Sequence, residues 1–325
     1  MNPVTQIKIA AKTKPLSNEI ALCSAANENY VIGLAVALCS AIKGLDERIK
    51  LKVYVLDGGI REESWERLIS SISDIRSDCV VKRLRPDLGS FKGLPKDWGS
   101  SVMAYARLAL PELITDEQIL YLDADVVIQG DVSELWRIDF GDFIIAAAID
   151  VIDKDLGNAR LPIEELRLNK FAPCLNSGVL MINVVRWRQA DITTQALKYL
   201  KEWPRHSANW DQSALNVVLY GRWHQLGREW NTPAWMADCE RNDCSLEAHV
   251  LHFVGPNKPW LYGYHLSPSA KIFFQWLDRT KWRKWRPNRT RHILKWIKYH
   301  ALKAINGVRF PSGRNKASSL FHRLR

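Results

Sequence analysis

The sequence predicts an α/β fold with a mainly parallel central sheet flanked by helices, and three observations lead to this prediction. Apolar runs of strand length alternate along the chain with longer segments of helical periodicity. Such alternation is typical of strand–helix–strand units, whose parallel sheet is covered by helices on both faces. The chain has 325 residues, 47% of them hydrophobic, which is enough for one large core.

The predicted elements follow one another from residue 20 onward. Apolar runs predict strands at 20–25, 51–56, 79–84, 118–122, 143–149, 178–183 and 248–254. The spacing of apolar residues predicts helices at 30–42, 62–75, 103–113, 187–203 and 211–220. Because ligands gather at the carboxyl ends of the strands in such sheets, polar residues just after a strand are candidates for a site.

The net charge of +11 is concentrated at the C-terminus. Residues 279–325 hold 15 of the 46 Lys and Arg residues and none of the 35 Asp and Glu residues, so the rest of the chain is mildly acidic. We interpret the chain as an N-terminal extension over 1–18, a globular domain over 19–280 and a basic helical tail over 281–325. A basic tail of this kind is typical of an extension that binds polyanions.

The tail also carries aromatic residues. A helical wheel separates an apolar side from a lysine-rich side, and four aromatic residues are suited to a water–lipid interface: Trp282, Trp285, Trp296 and Tyr299. The pattern predicts that residues 281–325 bind an anionic membrane surface. A solvated or partly packed extension is the alternative. Nucleic acid is not expected as a partner, although charge alone does not choose among polyanions.

The cysteines and the N-terminus indicate a cytoplasmic protein. None of the six cysteines forms a C-x-x-C pair, so we interpret them as reduced thiols. A zinc site is not expected, because no common spacing is matched by Cys239, Cys244, His249 and His252. The N-terminus has no apolar run of signal-peptide type, and no window reaches the roughly 18 apolar residues that span a bilayer. The expected location is the inner face of the cytoplasmic membrane.

Two carboxylates one residue apart follow the strand predicted at 118–122. They belong to Asp123-Ala124-Asp125, and a Gly130-Asp131 turn follows before the next helix. Carboxylates that leave a strand together can approach one hard cation from the same side, and Mg²⁺ and Mn²⁺ prefer such oxygen ligands. A solvated acidic turn is the alternative interpretation of a bare D-x-D.

The last predicted strand supplies a second set of candidates. It delivers His252, and a Gly-Pro turn then presents Lys258. An imidazole can complete a carboxylate metal site, and a lysine nearby can neutralise a diphosphate. Taken alone, a histidine in a strand is more often a core residue and a lysine is usually solvated, so the prediction depends on their combination with Asp123 and Asp125.

Two further segments carry amides and one carboxylate. Asn176 is expected in a small-residue turn before a buried strand, where its amide either serves the turn or binds a hydroxyl. Asp211 is expected to cap the N-terminus of a helix, with Gln212 in the first turn.

Taken in order, these segments resemble glycosyltransferase family 8, and most closely its bacterial branch that adds galactose or glucose to lipopolysaccharide or lipooligosaccharide. The matching segments are SAANENY (24–30), YARL (105–108), LYLDADVVIQGD (120–131), LNSGVLMIN (175–183), WDQSALN (210–216) and HFVGPNKPW (252–260). The D-x-D motif alone is a weak signal, and the ordered set is a strong one. The resemblance implies the A-type glycosyltransferase fold.

The resemblance also implies roles for individual residues. It implies Mn²⁺, with Mg²⁺ as the other fitting ion, held by Asp123, Asp125 and His252. It implies a UDP-sugar site formed by Ala25, Asn27, Asn29, Tyr30, Asp123, Ala124, Asp125, Gly255 and Lys258, with Glu28 in the same loop. It implies that the donor sugar is surrounded by Arg107, Asn176, Asp211 and Gln212. Relatives usually have an acidic residue where this chain has Asn27, and an amide can still bond uracil.

The implied activity is the transfer of galactose or glucose from a UDP-sugar to a glycan or glycolipid acceptor, with retention at the anomeric carbon. Lipopolysaccharide core or a similar surface glycan is the expected acceptor. Three alternatives stay open: a nucleotide-sugar-binding scaffold without catalysis, a self-glucosylating primer enzyme, and a nucleic-acid-binding protein. The last leaves the motifs of the globular domain unexplained.

Overall fold

The computed structural model describes residue 13 and residues 18–95, 102–240 and 248–290. Its strands are β1 (Glu19–Ala26), β2 (Lys50–Asp57), β3 (Val80–Leu84), β4 (Gln118–Leu122), β5 (Val126–Ile128), β6 (Ile145–Ile149), β7 (Leu175–Asn183), β8 (Trp223–Leu226), β9 (Thr232–Pro233) and β10 (Val250–His252). Its α-helices are α1 (Val31–Lys43), α2 (Glu62–Ile75), α3 (Leu110–Leu113), α4 (Val132–Trp136), α5 (Val184–Gln189), α6 (Ile192–Glu202), α7 (Asp211–Val218), α8 (Ala234–Glu240) and α9 (Pro268–Leu277).

A seven-stranded sheet runs through the described part of the chain in the order β3-β2-β1-β4-β7-β6-β8. Four neighbouring pairs are parallel, and β7 alone runs antiparallel to both of its neighbours, β4 and β6. The predicted α/β fold with a mainly parallel sheet is therefore confirmed. The reversal of β7 was not predicted, and it brings the first residues of β7 beside the carboxyl end of β4.

A second, three-stranded sheet has the order β5-β10-β9. The late strand predicted at 248–254 corresponds to β10, which is shorter and lies in this small sheet. β10 pairs antiparallel with β5, which places His252 opposite Val126, and parallel with β9, which places His252 beside Pro233. The first strand of the small sheet begins directly after Asp125. The D-x-D turn is therefore the point at which the chain passes from the large sheet to the small one.

Two predicted helices differ in detail. The helix predicted at 103–113 is a 3-10 helix over Val102–Ala109 followed by the short α3, which has Pro111 in its first turn. The helix predicted at 187–203 is split into α5 and α6, because Asp191 between them adopts a left-handed conformation with φ of 49°. A non-glycine residue in that conformation interrupts the helical hydrogen bonding.

Helix α1 is the most deeply buried helix of the described chain, with 11 of its 13 residues buried. A helix that is apolar all round is expected in a core, and α1 packs against α2, α9 and β5. Its buried Ser40 hydroxyl accepts a hydrogen bond of 3.0 Å from the Ile128 N–H of β5. Gly33 lets the helix approach the D-x-D turn, since a β-carbon there would lie 2.6 Å from the Trp260 ring and closer still to the Ala124 carbonyl oxygen.

The chain forms two compact units, Met1–Trp285 and Arg286–Arg325. The first residues predicted for the tail belong to the first unit. Trp282 is only 5% exposed, and the Lys281 N–H donates to the Ser71 hydroxyl at 2.9 Å. The expectation that Trp282 lies at a lipid interface is therefore wrong, because its side chain is part of the core. Residues 291–325 of the predicted tail, with Trp296 and Tyr299, lie outside the described residues.

None of the helices in the described ranges is long and apolar enough to cross a membrane.

Replacement of Gly33 by alanine should destabilise the protein. Alanine normally stabilises a helix by about 1 kcal/mol relative to glycine, but here the added methyl group meets Ala124 and Trp260. We expect overpacking to prevail and to lower the free energy of unfolding by about 1–3 kcal/mol in urea denaturation. Gly44→Ala is the matched control, since its nearest neighbouring atom is 3.9 Å away. A Gly33→Ala protein as stable as Gly44→Ala would contradict this account of the helix contact.

Candidate active site

The D-x-D turn connects the two sheets. β4 ends at Leu122, and β5 begins at Val126, so Asp123-Ala124-Asp125 forms the whole connection. The Asp123 N–H donates to the Gly178 carbonyl at 2.8 Å, and the Asp125 carbonyl accepts from the Phe253 N–H at 2.9 Å. The backbone of the turn is thus held by β7 on one side and by the residue after β10 on the other.

The two carboxylates and His252 meet on one side of this turn. The His252 Nε2 atom is 3.3 Å from Asp125 Oδ1 and 3.9 Å from Asp123 Oδ2. One ligand atom from each residue lies within 4.8 Å of the others, and within the described ranges no other group of this kind is found. Two carboxylate oxygens and one imidazole nitrogen are a donor set that fits Mn²⁺, and Mg²⁺ less well. Of the residues considered for zinc, Cys244 lies outside the described ranges, and the His249 ring packs against Trp230.

Arg107 connects the metal-ligand candidates to the rest of the cleft. It is 4% exposed, and its Nη2 donates to Asp123 Oδ1 at 2.8 Å. Its Nη1 donates to the Ser177 carbonyl, and its guanidinium stacks on the Tyr121 ring at 4.6 Å from the centroid. Its Nε is 2.9 Å from Asp211 Oδ2 without hydrogen-bond alignment. Burial opposes the charge, but Asp123 and Asp211 hold the pKa of Arg107 above its ordinary value.

Asp211 is the first residue of α7. The capping position is Trp210, which has φ of 52°, so the prediction that Asp211 is the N-cap is wrong. The carboxylate is 2% exposed, and its Oδ2 has no hydrogen-bond partner in the described part of the chain. Burial raises the pKa of Asp211 to about 6, although Arg107 opposes the shift. Asp211 is therefore a buried carboxylate that is paired with Arg107 and lacks an aligned hydrogen bond at Oδ2 among the described residues.

Lys258 pairs with Oδ2 of Asp125, whereas His252 approaches Oδ1 of the same carboxylate. The ammonium is buried, and it donates to Asp125 Oδ2 and, at 2.6 Å, to the Phe253 carbonyl. Burial lowers the pKa of Lys258, but Asp125 more than offsets it and keeps the pKa above its ordinary value. Burial likewise opposes ionisation of Asp125, whereas Lys258 and His252 hold its pKa well below the usual range. Gly255, with φ of 81°, forms the left-handed turn that returns the chain toward this site.

The loop after β1 ends near the same groups, since Tyr30 lies within electrostatic reach of Lys258, Asp125 and Asp123. Ala25 is buried near the end of β1, and the Asn29 N–H donates to Asn27 Oδ1 at 3.0 Å. The Tyr30 ring packs edge-on against Trp260, and burial raises the pKa of Tyr30. The Glu28 carboxylate instead pairs with Arg61 at 2.5 Å and accepts from Ser64, so it fixes the start of α2.

Asn176 and Gln212 are joined by a carboxylate that the sequence analysis missed. Asn176 lies within β7, so its expected position in a turn is wrong. Its Nδ2 donates to Asp150 Oδ2 at 2.8 Å, and Gln212 Nε2 donates to the same oxygen at 3.0 Å. Gln212 Oε1 accepts from the Ser177 N–H at 3.1 Å. Asp150 directly follows β6, and the rule that site residues follow strands would have selected it.

Asn231 is the second residue that the sequence analysis missed. It precedes β9 and is 3% exposed. Its amide contacts His252 on one side and Asn176 on the other, at 2.9 and 2.8 Å. No pattern in the sequence singles it out, since its neighbour His252 lies 21 residues further along the chain.

The raised pKa of Asp211 predicts an unusual dependence of stability on pH. Its folded-state pKa of about 6 lies above its ordinary value of 3.8, so its stabilising contribution is present at low pH and lost as pH rises through 6. Relative to Asp211→Asn, wild type should lose on the order of 2 kcal/mol of unfolding free energy between about pH 4 and pH 8. Asp57→Asn is the control, because Ile60 and Arg83 lower the pKa of Asp57 despite its burial. The contribution of Asp57 therefore changes only below about pH 4, and between pH 4 and pH 8 the stability of wild type relative to Asp57→Asn should stay nearly constant. A wild type that gains stability over this range, relative to Asp211→Asn, would show that Arg107 outweighs burial.

Comparison with known proteins places this geometry in a family. The "General stress protein A" of Bacillus subtilis (strain 168) is 27% identical over 277 residues, which cover 80% of this chain and 94% of the relative. A lipopolysaccharide 1,2-glucosyltransferase of Escherichia coli (strain K12) is 26% identical over 282 residues, covering 83% of this chain and 81% of the relative. The crystal structure of the galactosyltransferase LgtC in complex with donor and acceptor sugar analogs matches at a TM-score of 0.67 and 25% identity, over 81% of this chain and 96% of LgtC.

The match to LgtC confirms the expected A-type glycosyltransferase fold. The sequence model of the family described as "Glycosyl transferase family 8" matches residues 21–263, which include every candidate residue of the site. The chain therefore belongs to glycosyltransferase family 8 and is related to the lipopolysaccharide glucosyl- and galactosyltransferases.

Proposed function

We propose that this chain is a retaining, Mn²⁺-dependent transferase that moves galactose or glucose from a UDP-sugar to a glycan acceptor, such as lipopolysaccharide core or a similar surface glycan. The observation that carries the proposal is the convergence of Asp123, Asp125 and His252 beside Lys258. The relatives named above, a lipopolysaccharide glucosyltransferase and a galactosyltransferase, support both hexoses equally.

The donor nucleotide would lie between the loop after β1 and the D-x-D turn. Ala25, Asn27, Asn29 and Tyr30 would contact the uridine. A divalent ion held by Asp123, Asp125 and His252 would act as a Lewis acid on the diphosphate. Lys258, with Gly255 in the turn before it, would bring a buried ammonium to the oxygens of the leaving UDP. Positive charge fixed in advance where negative charge develops is an effective form of catalysis.

The donor sugar would lie against Arg107, Asn176, Asp211 and Gln212. Asp211, whose carboxylate lies 2.9 Å from the Arg107 Nε, would orient a sugar hydroxyl. Arg107 would act by fixing Asp211 and Asp123. Asn176 uses its amide within the protein, and we assign it a supporting position behind the sugar.

Gln212 bears on the stereochemistry of the transfer. Its oxygen accepts from the Ser177 N–H and its nitrogen donates to Asp150, so the amide is held at both ends. A neutral amide is a weak nucleophile, and this disfavours a covalent sugar–enzyme intermediate. We propose attack on the same face as departure: the acceptor oxygen bonds to the anomeric carbon, the bond to the UDP oxygen breaks with its electron pair, and a phosphate oxygen takes the hydroxyl proton.

Hydrolysis of UDP-hexose in the absence of acceptor tests the metal dependence. We expect Mn²⁺ to restore turnover to an EDTA-treated protein, and Asp125→Asn to lower that turnover by at least about 100-fold, as expected for loss of a group that acts on the leaving charge. The matched control is Asp131→Asn, because Asp131 caps α4 and an asparagine can do the same. Full Mn²⁺-dependent turnover in Asp125→Asn would refute the site. An inert wild type with every UDP-hexose would favour the scaffold alternative.

We also propose that the protein works in the cytoplasm at the inner face of the membrane, held by its basic tail. The support comes from the sequence of residues 286–325, which is basic and carries Trp296 and Tyr299, and from the lipid-linked nature of the expected acceptor. Trp282 takes no part, since it is buried in the first unit. No nucleic acid is required by this proposal.

Flotation with vesicles tests the membrane contact. The protein should float with vesicles that contain an anionic lipid and remain below with pure phosphatidylcholine vesicles. Each Lys or Arg near an anionic surface contributes about 1 kcal/mol, so replacing Lys295, Lys298 and Lys303 together by glutamine should lower the partition coefficient by about 100-fold. Binding should also weaken with added salt. Equal flotation with neutral and anionic vesicles, or none with either, would refute the electrostatic contact.

A further inference from the structure

A continuous chain of buried hydrogen bonds runs from Asp150 to the metal-ligand candidate His252. Asp150 is 5% exposed, and its Oδ1 accepts from the Ile152 and Asp153 N–H groups at 2.8 and 3.0 Å. These two bonds fix the carboxylate at the end of β6. Its other oxygen, Oδ2, faces Asn176 and Gln212.

The orientation of the Asn176 amide is determined at both ends. An ionised carboxylate only accepts hydrogen bonds, so the group of Asn176 that faces Asp150 is the NH₂. A backbone N–H only donates, so the group that faces the Gly178 N–H, at 2.9 Å, is the oxygen. Rotating the amide by 180° would place like groups together at both contacts.

Asn231 transmits this orientation to the imidazole. Its NH₂ donates to Asn176 Oδ1 at 2.8 Å, so its oxygen is the atom that lies 2.9 Å from His252 Nδ1. An amide oxygen only accepts, and Nδ1 must therefore carry a proton. In the neutral ring the lone pair is then on Nε2, which is the nitrogen that faces Asp123 and Asp125.

The backbone of β7 also holds the His252 ring in place. Gly178 lies in β7 directly against His252, and a β-carbon at that position would come within 2.7 Å of Nδ1. The same glycine donates to Asn176 and accepts from the Asp123 N–H. The imidazole is thus fixed both in its position and in the direction of its lone pair.

We propose that Asn231 and Asn176 are positioning residues that direct the Nε2 lone pair of His252 toward the divalent ion, with Asp150 as the origin of their orientation. The inference rests on the proposed metal dependence and deepens it. Because Asp150 Oδ2 also accepts from Gln212, one carboxylate orients both the metal-binding imidazole and the amide on the sugar side. Partners of this kind behind a metal ligand typically contribute roughly 10- to 100-fold in metal affinity.

Two measurements on one set of variants test the proposal. Long-range ¹H–¹⁵N correlation of the His252 ring, recorded at about pH 8 with diamagnetic Mg²⁺ added, reports which nitrogen carries the proton. Electron paramagnetic resonance of free Mn²⁺ reports metal affinity. Asn231→Leu removes the acceptor. We expect wild type to show a protonated Nδ1, and Asn231→Leu to lose that state and to bind Mn²⁺ roughly 10- to 100-fold more weakly.

Two further variants separate positioning from a general loss of structure. Asn231→Asp keeps an acceptor for Nδ1, although it repels Asn176 Oδ1. It should therefore keep the Nδ1 proton and most of the Mn²⁺ affinity even if it is less stable. Asn216→Leu is the matched control: it removes another buried amide, whose hydrogen bonds within the described ranges go to the backbone of Leu175 and Gln212. It should lower stability and leave both readouts unchanged.

Several outcomes overturn the proposal. A wild-type ring with a bare Nδ1 would do so, as would Asn231→Leu with wild-type Mn²⁺ affinity, or an equal loss of affinity in Asn216→Leu. One further outcome would separate the failure of the proposed function from the failure of this inference. If Nδ1 is protonated in wild type and not in Asn231→Leu, but neither protein binds Mn²⁺, the relay is supported and the metal dependence is refuted.

Discussion

The cleft depends on compensation of buried negative charge. Asp125 and Asp211 are buried and Asp123 is half-buried, and removing an unpaired carboxylate from water costs several kcal/mol. Arg107 lies against two of these groups and Lys258 against the third, and both cations are themselves buried. A change to either cation would leave a carboxylate uncompensated. The same three ion pairs therefore stabilise the fold and, on the proposed function, hold the residues that bind the metal ion and the donor.

The strand directions explain how so many polar groups meet. If β7 ran parallel to β4, the first residues of β7 would lie beside the N-terminal end of β4. Because β7 runs antiparallel to β4, Asn176 and Gly178 lie near the C-terminal end of β4, next to Asp123. The small sheet completes the arrangement, because β10 places His252 beside Asp125, and β9 places Asn231 beside His252. Two reversals of direction thus bring together metal-ligand candidates that are more than 100 residues apart in sequence.

The features that the sequence predicts are those that depend on interactions between residues close together along the chain. The buried strands and α1 are recognisable because their apolar runs are local, and Asp123, Asp125, His252 and Lys258 could be selected because each follows or ends such a run. The direction of β7, the short β9 and the role of Asn231 depend on pairing between distant segments, which leaves no local pattern. Asp211 shows the same limit: its position at a helix start suggested a cap, whereas burial against Arg107 determines its properties.

The balance of charges also bears on the order in which the divalent ion and the donor bind. When ionised, Asp123, Asp125 and Asp211 outnumber the two buried cations, Arg107 and Lys258. A diphosphate that approached this cleft alone would meet excess negative charge, and in a site of low dielectric that repulsion is large. On the proposed function, a divalent ion changes the balance before or together with the donor, and Lys258 can then interact with the diphosphate while Asp125 binds the ion. Metal binding and donor binding should therefore be thermodynamically coupled, each strengthening the other by the same factor.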